Sequence, residues 1–81
     1  MKKPPTLDLH GDKVADVIDK VDRFIMKYHT QARVRIMTGK GTGKVKAEVL
    51  KYLKQGGYPY EFEKLPSGKR NEGVLVVFLG D

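Results

Sequence analysis

The chain has 81 residues, a formal net charge of +6 and no cysteine. That size bounds it to one domain with a limited core, and 40% hydrophobic residues with clear periodicity exclude a disordered chain. Disulfides and thiolate metal sites are excluded. So are a signal peptide, because MKKPPT has no apolar segment, and a membrane span, because no apolar run approaches roughly 20 residues. A cytoplasmic location is the resulting expectation. The positive charge favours an anionic partner, nucleic acid first; a solvated lysine-rich surface is the plainer explanation.

In chain order, residues 1–5 read as a flexible arm, since Pro4 and Pro5 block regular structure; the domain proper is 6–81. Thr6–His10 alternates with period two and predicts a strand. Asp12 stands where a helix N-cap belongs. The helix runs from about Lys13 to His29, with Val14, Val17, Ile18, Val21, Phe24, Ile25 and Tyr28 as its apolar stripe. Ala32–Thr38 predicts a second strand. TGKGTGK follows, then a helix from about Lys44 to Gln55 with Val45, Val49, Leu50 and Leu53 inward. Gly56 and Gly57 end it. Tyr58–Leu65 predicts a strand, 66–73 a polar turn-rich connection, and Gly73–Leu79, with its continuous VLVVFL, a doubly covered or central strand.

Strand–helix–strand crossovers are right-handed and give parallel neighbours. The expected fold is therefore an α/β two-layer sandwich, β-α-β-α-β-β. Its mixed four-stranded sheet carries both helices on one face, and its last two strands form an antiparallel pair.

Within LDLHG, Leu7 and Leu9 must face the helices, so Asp8 and His10 project from the other face. Arg33 and Arg35 fall on the matching face of the second strand. An aspartate beside a histidine can orient the ring and stabilise its charged form, and a histidine exchanges protons near neutral pH. The competing explanation is an Asp8–arginine pair with His10 merely ending a strand.

In TGKGTGK, Gly39, Gly41 and Gly43 alternate just before a helix start, with Lys40, Lys44 and Lys46 around them. Glycines let amides approach an oxyanion, and the helix start adds positive potential. The loop is not a P-loop, which needs four residues between its glycines and Ser or Thr after the lysine; here there are three, and Val45 follows Lys44. It is not a GxGxxG dinucleotide fingerprint either. Its competing explanation is a flexible turn that brings the helix back onto the sheet. Both loops leave carboxyl ends of parallel strands, so they should meet on one rim.

These two motifs, the helix between them and the closing GVLVVFL resemble the Smr (small MutS-related) domain over about residues 6–80. LDLHG at 7–11 matches the opening motif, and TGKGTG at 38–43 matches the second, HGxG or TGxG. The resemblance implies a fold similar to the C-terminal domain of translation initiation factor three. It also implies DNA or RNA binding, with endonuclease activity in many members. Carried over, Asp8 and His10 become catalytic candidates, and Thr38, Gly39 and Gly41 the binding loop. Thr38 replaces the second imidazole of the HGxG branch; its hydroxyl can still donate to phosphate.

The expected chemistry is nicking of a phosphodiester. His10 would act as general base or acid, oriented by Asp8. The loop amides, Lys40 and Lys44 would stabilise the phosphoryl oxygens, and Arg33, Arg35 and Lys46 would hold the flanking backbone. No cofactor is required on this reading; Mg2+ at Asp8 is a candidate stimulant. Zinc does not suit a chain whose histidines are His10 and His29 alone, with His29 at a helix C-terminus. Expected partners are DNA, including branched DNA, or RNA, with the ribosome among them; no membrane; and a monomeric domain. The alternative is a non-catalytic DNA-, RNA- or ribosome-binding module using the same basic face. A protein–protein module with incidental charge is a third reading. Of the aromatics, Tyr58, Tyr60 and Phe62 could stack on bases, but Tyr60 and Phe62 share a strand face and suit the core.

Overall fold

The computed structural model describes residues 4–39 and 43–80. The elements are β1 (Thr6–Asp8), α1 (Val14–Lys27), β2 (Arg33–Met37), α2 (Lys44–Gly56), β3 (Tyr60–Lys64) and β4 (Arg70–Phe78). They build the expected α/β domain, a mixed four-stranded sheet with two helices. The sheet order is β1-β2-β4-β3. β1 and β2 are parallel, and β4 is antiparallel to both β2 and β3.

The expectation that successive crossovers place parallel strands side by side holds for β1 and β2 only. β4 inserts between β2 and β3, so β2-α2-β3 is a split unit. The reason lies in the side chains. VLVVFL is apolar on both faces and suits the interior of a sheet, whereas β3 carries Glu61, Glu63 and Lys64 and suits an edge.

One core lies between the sheet and the helices. Leu9, Val34, Ile36, Leu75 and Val77 meet Val17, Val21 and Ile25 of α1 and Val49 and Leu53 of α2 in a single buried cluster. Both helices therefore cover the same sheet face. Tyr60 and Phe62 pack against this core as partly buried residues, as does Tyr58.

Several local expectations are corrected. Asp12 does not cap α1: the N-cap is Lys13, without a side-chain hydrogen bond, and the Asp12 carboxylate accepts from Lys20 Nζ at 2.8 Å. Val14 lies outside the buried stripe, 38% exposed. Pro5 belongs to the sheet rather than to a loose arm, since its carbonyl accepts the Arg35 amide at 2.8 Å; residues 1–3 of that arm lie outside the described residues. β4 starts at Arg70, within what reads as a connection. A tight turn with Gly68 at φ +88° closes the hairpin, and a bulge between Phe62 and Glu63 shifts the pairing so that Glu63 faces Asn71.

Candidate functional site

The uncovered sheet face carries Thr6, Asp8, Arg35 and Met37 in register, Thr6 beside Arg35 and Asp8 beside Met37. At its carboxyl end the chain leaves β1 through a turn built from LDLHG. The Leu9 amide donates to the Met37 carbonyl at 2.9 Å, prolonging the pairing, and the Asp12 amide donates to the Leu9 carbonyl at 3.0 Å. Gly11 occupies the third turn position at φ +81°, where a side chain would be strained. Leu9 is fully buried and anchors the turn. Asp8 Oδ1 accepts the His10 backbone amide at 2.9 Å. The contact Asp8 makes is thus with the backbone of His10 rather than with its ring, and it fixes the loop that displays the imidazole. His10 itself is exposed.

Across the rim, the Thr38 and Gly39 amides both point to the Gly73 carbonyl, at 2.8 and 3.3 Å. Gly39 has φ +79°. Thr38 is 6% exposed, and its hydroxyl makes one long contact, 3.5 Å, to the Gly39 carbonyl. The expected phosphate donors Thr38 and Gly39 are therefore engaged with the protein: the hydroxyl weakly, the amides with β4.

One groove of about 300 Å3 brings the two motifs together, lined by Asp8, His10, Met37, Gly39, Asn71, Gly73 and Val74. Asp8, His10 and Gly39 were expected there. Asn71 and Gly73 were not, because their segment reads as a loop; the Asn-Glu-Gly triplet before an apolar run was the available signal, and only the insertion of β4 beside β2 carries it to the rim. The Asn71 side chain accepts the Gly73 amide at 3.1 Å.

Other candidates fall elsewhere. Arg33 and Arg35 line a larger groove of about 460 Å3 on the same sheet face, with Pro4, Glu61, Glu63, Lys64 and Val76. Arg35 is not paired with Asp8: it binds Glu63 with two parallel hydrogen bonds, 2.5 and 2.9 Å. Its charge is thereby matched, and the larger groove is a mixed-charge surface in which Arg33 and Lys64 stand with Glu61. Gly43 is the N-cap of α2 at φ +84° and provides no side-chain cap. The first turn of α2 carries Lys44 and Lys46 and no acid. That reverses the usual preference for acids at a helix start and adds positive charge at one end of the helix. Lys40 and Gly41 lie outside the described residues. His29 Nδ1 donates to the Met26 carbonyl at 2.8 Å, closing α1. Among the described residues, no three His, Asp or Glu side chains converge as metal ligands, and no helix is long and apolar enough to cross a membrane.

The fold and rim define a small α/β domain with one open sheet face and a groove at the carboxyl ends of its parallel strands, where Asp8 and His10 meet Met37 and Val74. The chain belongs to the Smr domain family, whose sequence model matches residues 7–80. It is similar to Endonuclease MutS2 of Ligilactobacillus salivarius, 35% identical over 79 residues, covering 91% of this chain and 10% of that protein. It is also similar to Endonuclease MutS2 of Streptococcus thermophilus, 30% identical over 76 residues with the same coverage. The chain thus spans 10% of the length of these curated relatives. Among solved structures, the Smr domain of Thermus thermophilus MutS2 superposes with a TM-score of 0.78 at 28% identity, covering 95% of this chain and 99% of that one. The SMR domain of NEDD4-binding protein 2 shares the fold, with a TM-score of 0.74 at 23% identity, covering 100% of this chain and 91% of that one.

Proposed function

We propose that this domain binds DNA or RNA and nicks its phosphodiester bonds. The observation that carries the reading is the shared groove of Asp8, His10 and Gly39, from whose Gly39 the chain leads to a helix start furnished with Lys44 and Lys46. The relatives named Endonuclease MutS2 support the same class of activity.

His10 is the proton-transfer group. On RNA it takes the proton of a ribose 2′-hydroxyl, whose oxygen attacks phosphorus as the 5′-oxygen leaves; on DNA it activates water. Asp8 holds the loop that presents the imidazole. Lys44, Lys40 and the amides at the start of α2 supply the positive potential for the phosphoryl oxygens. Among the described residues, Asp8 is the one carboxylate lining this groove, too few ligands for a two-metal centre. Mg2+ is therefore assigned a stimulatory role there and not a required one.

The test is nicking of RNA and of supercoiled plasmid DNA, with and without Mg2+, by wild type, His10→Ala and Asp8→Asn. His10→Ala should slow nicking by roughly a hundredfold or more while leaving binding intact. Asp8→Asn keeps an oxygen for the His10 amide and removes the charge, so it separates loop shaping from electrostatics. Binding without nicking by the wild type, on both substrates, would replace the enzyme reading with the non-catalytic binding module.

A further inference from the structure

At the same end of the sheet as the groove, Lys46 joins a cluster whose other members, Phe62, Arg70 and Glu72, the mechanism does not use. The Phe62 ring carries two cations: Lys46 Nζ lies 4.8 Å from the ring centroid and the Arg70 guanidinium carbon 5.3 Å. Both reach the same oxygen, Glu72 Oε1, Lys46 at 3.9 Å and Arg70 at 3.8 Å. These are long contacts to a side chain 59% exposed, so the carboxylate holds each cation weakly. Two positive charges meet one negative charge over an aromatic face that keeps them in place.

The position is as informative as the charge. Glu72 sits on β4 between Asn71 and Gly73, both of which line the Asp8–His10 groove. Lys46 belongs to the first turn of α2, whose N-cap is Gly43. The cluster and the groove therefore flank one short stretch of β4 at the same end of the sheet, the groove on the open face and the cluster on the helix side. A strand with one phosphate in the groove that continues around this end of the sheet would bring a later phosphate to the cluster. A phosphodiester offers two non-bridging oxygens, which match an arginine fork better than one shared carboxylate oxygen does.

We propose that Lys46 and Arg70, seated on Phe62, form a second phosphate site for backbone that continues around the end of the sheet from the groove, with Glu72 as a built-in counter-ion that the nucleic acid displaces. This rests on the nucleic-acid reading above. Arg70, Phe62 and Glu72 thereby join the binding surface, and Glu72 sets its affinity.

The experiment is salt-dependent binding of a fluorescent DNA and a fluorescent RNA oligonucleotide to wild type, Arg70→Gln and Glu72→Gln, each first checked by thermal melting. Arg70→Gln should weaken binding roughly threefold to fivefold and reduce the log–log salt slope by about 0.7 to 0.9. Glu72→Gln should do the opposite and tighten binding by a similar factor. A purely structural role in the hairpin would lower melting in both variants and would not tighten binding in either. If wild type binds and both variants keep its affinity and slope, the second site is overturned while the endonuclease reading stands. If wild type binds neither oligonucleotide, both fall.

Discussion

At the scale of single residues, the LDLHG loop shows how an apparent catalytic pair can also be a folding device. Asp8 fastens the His10 amide, Leu9 plugs the core, and Gly11 turns the chain at φ +81°. Alternation alone placed the two leucines inward and the acid and imidazole outward. The bond from Asp8 to the backbone was not legible, because an acid two residues before an amide serves ring and backbone equally well on paper. Gly11 yields a clean prediction. A methyl group there meets nothing within 4 Å, so Gly11→Ala isolates the backbone cost. It should lower stability by about 1 kcal/mol, read as a shifted urea midpoint, and slow nicking by misplacing His10. Gly11→Asn should cost less, since asparagine tolerates this conformation. An unshifted midpoint for the alanine variant would show that the turn is not held at positive φ. Thr38 teaches the reverse lesson. Its motif position suggested a phosphate donor, but inward alternation with Val34 and Ile36 buries it.

At the scale of elements, helices and strands were legible because their apolar spacing is strong, and the errors gather at their ends. Asp12 had the right type for a cap but is held by Lys20 instead. That bond raises the Lys20 pKa, with the Asp12 hydrogen bond as the largest cause. The start of β4 was hidden because Arg70–Glu72 is polar and follows a turn; only pairing with the charged edge strand β3 makes it a strand. The contact between α1 and α2 was not legible at all. Tyr52 on α2 donates to Asp22 Oδ1 on α1 at 2.7 Å, and Tyr58 stacks on Tyr52 with centroids 6.1 Å apart. Burial, and then the Asp22 bond, push the Tyr52 phenol well above its ordinary value of 10.0. The neutral phenol is thus the form the fold stabilises. Its contribution is complete below pH ~10 and is lost as pH rises from there through the raised folded value. Tyr52→Phe should cost about 1 kcal/mol or less near neutrality. Its melting temperature should also fall less steeply than that of the wild type above pH ~10. Parallel alkaline limbs for the two proteins would show that Tyr52 does not link the helices.

At the scale of the whole molecule, the positive charge is unevenly spread, and that distribution connects fold to function. On α1, lysines and arginines alternate with Asp16, Asp19 and Asp22, whereas α2 carries Lys44, Lys46, Lys51 and Lys54 against Glu48 alone. The open sheet face is balanced as well, with Arg35 matched by Glu63. Much of the excess therefore lies along α2. Sequence reading assigned Arg33, Arg35, Lys40, Lys44 and Lys46 to one binding surface. The structure divides them: Lys44 and Lys46 stand in the first turn of α2, while Arg33 and Arg35 line a separate groove on the open sheet face. What decides the matter is whether an anion enters the groove between the two motifs. The most direct measurement is a nuclear magnetic resonance titration of the labelled domain with a short oligonucleotide. The His10 ring and the Asp8, Gly39 and Gly73 amides should shift together along one saturation curve. Shifts confined to α1 or to the Arg33–Arg35 groove, with His10 and Gly39 unmoved, would contradict a shared phosphodiester site.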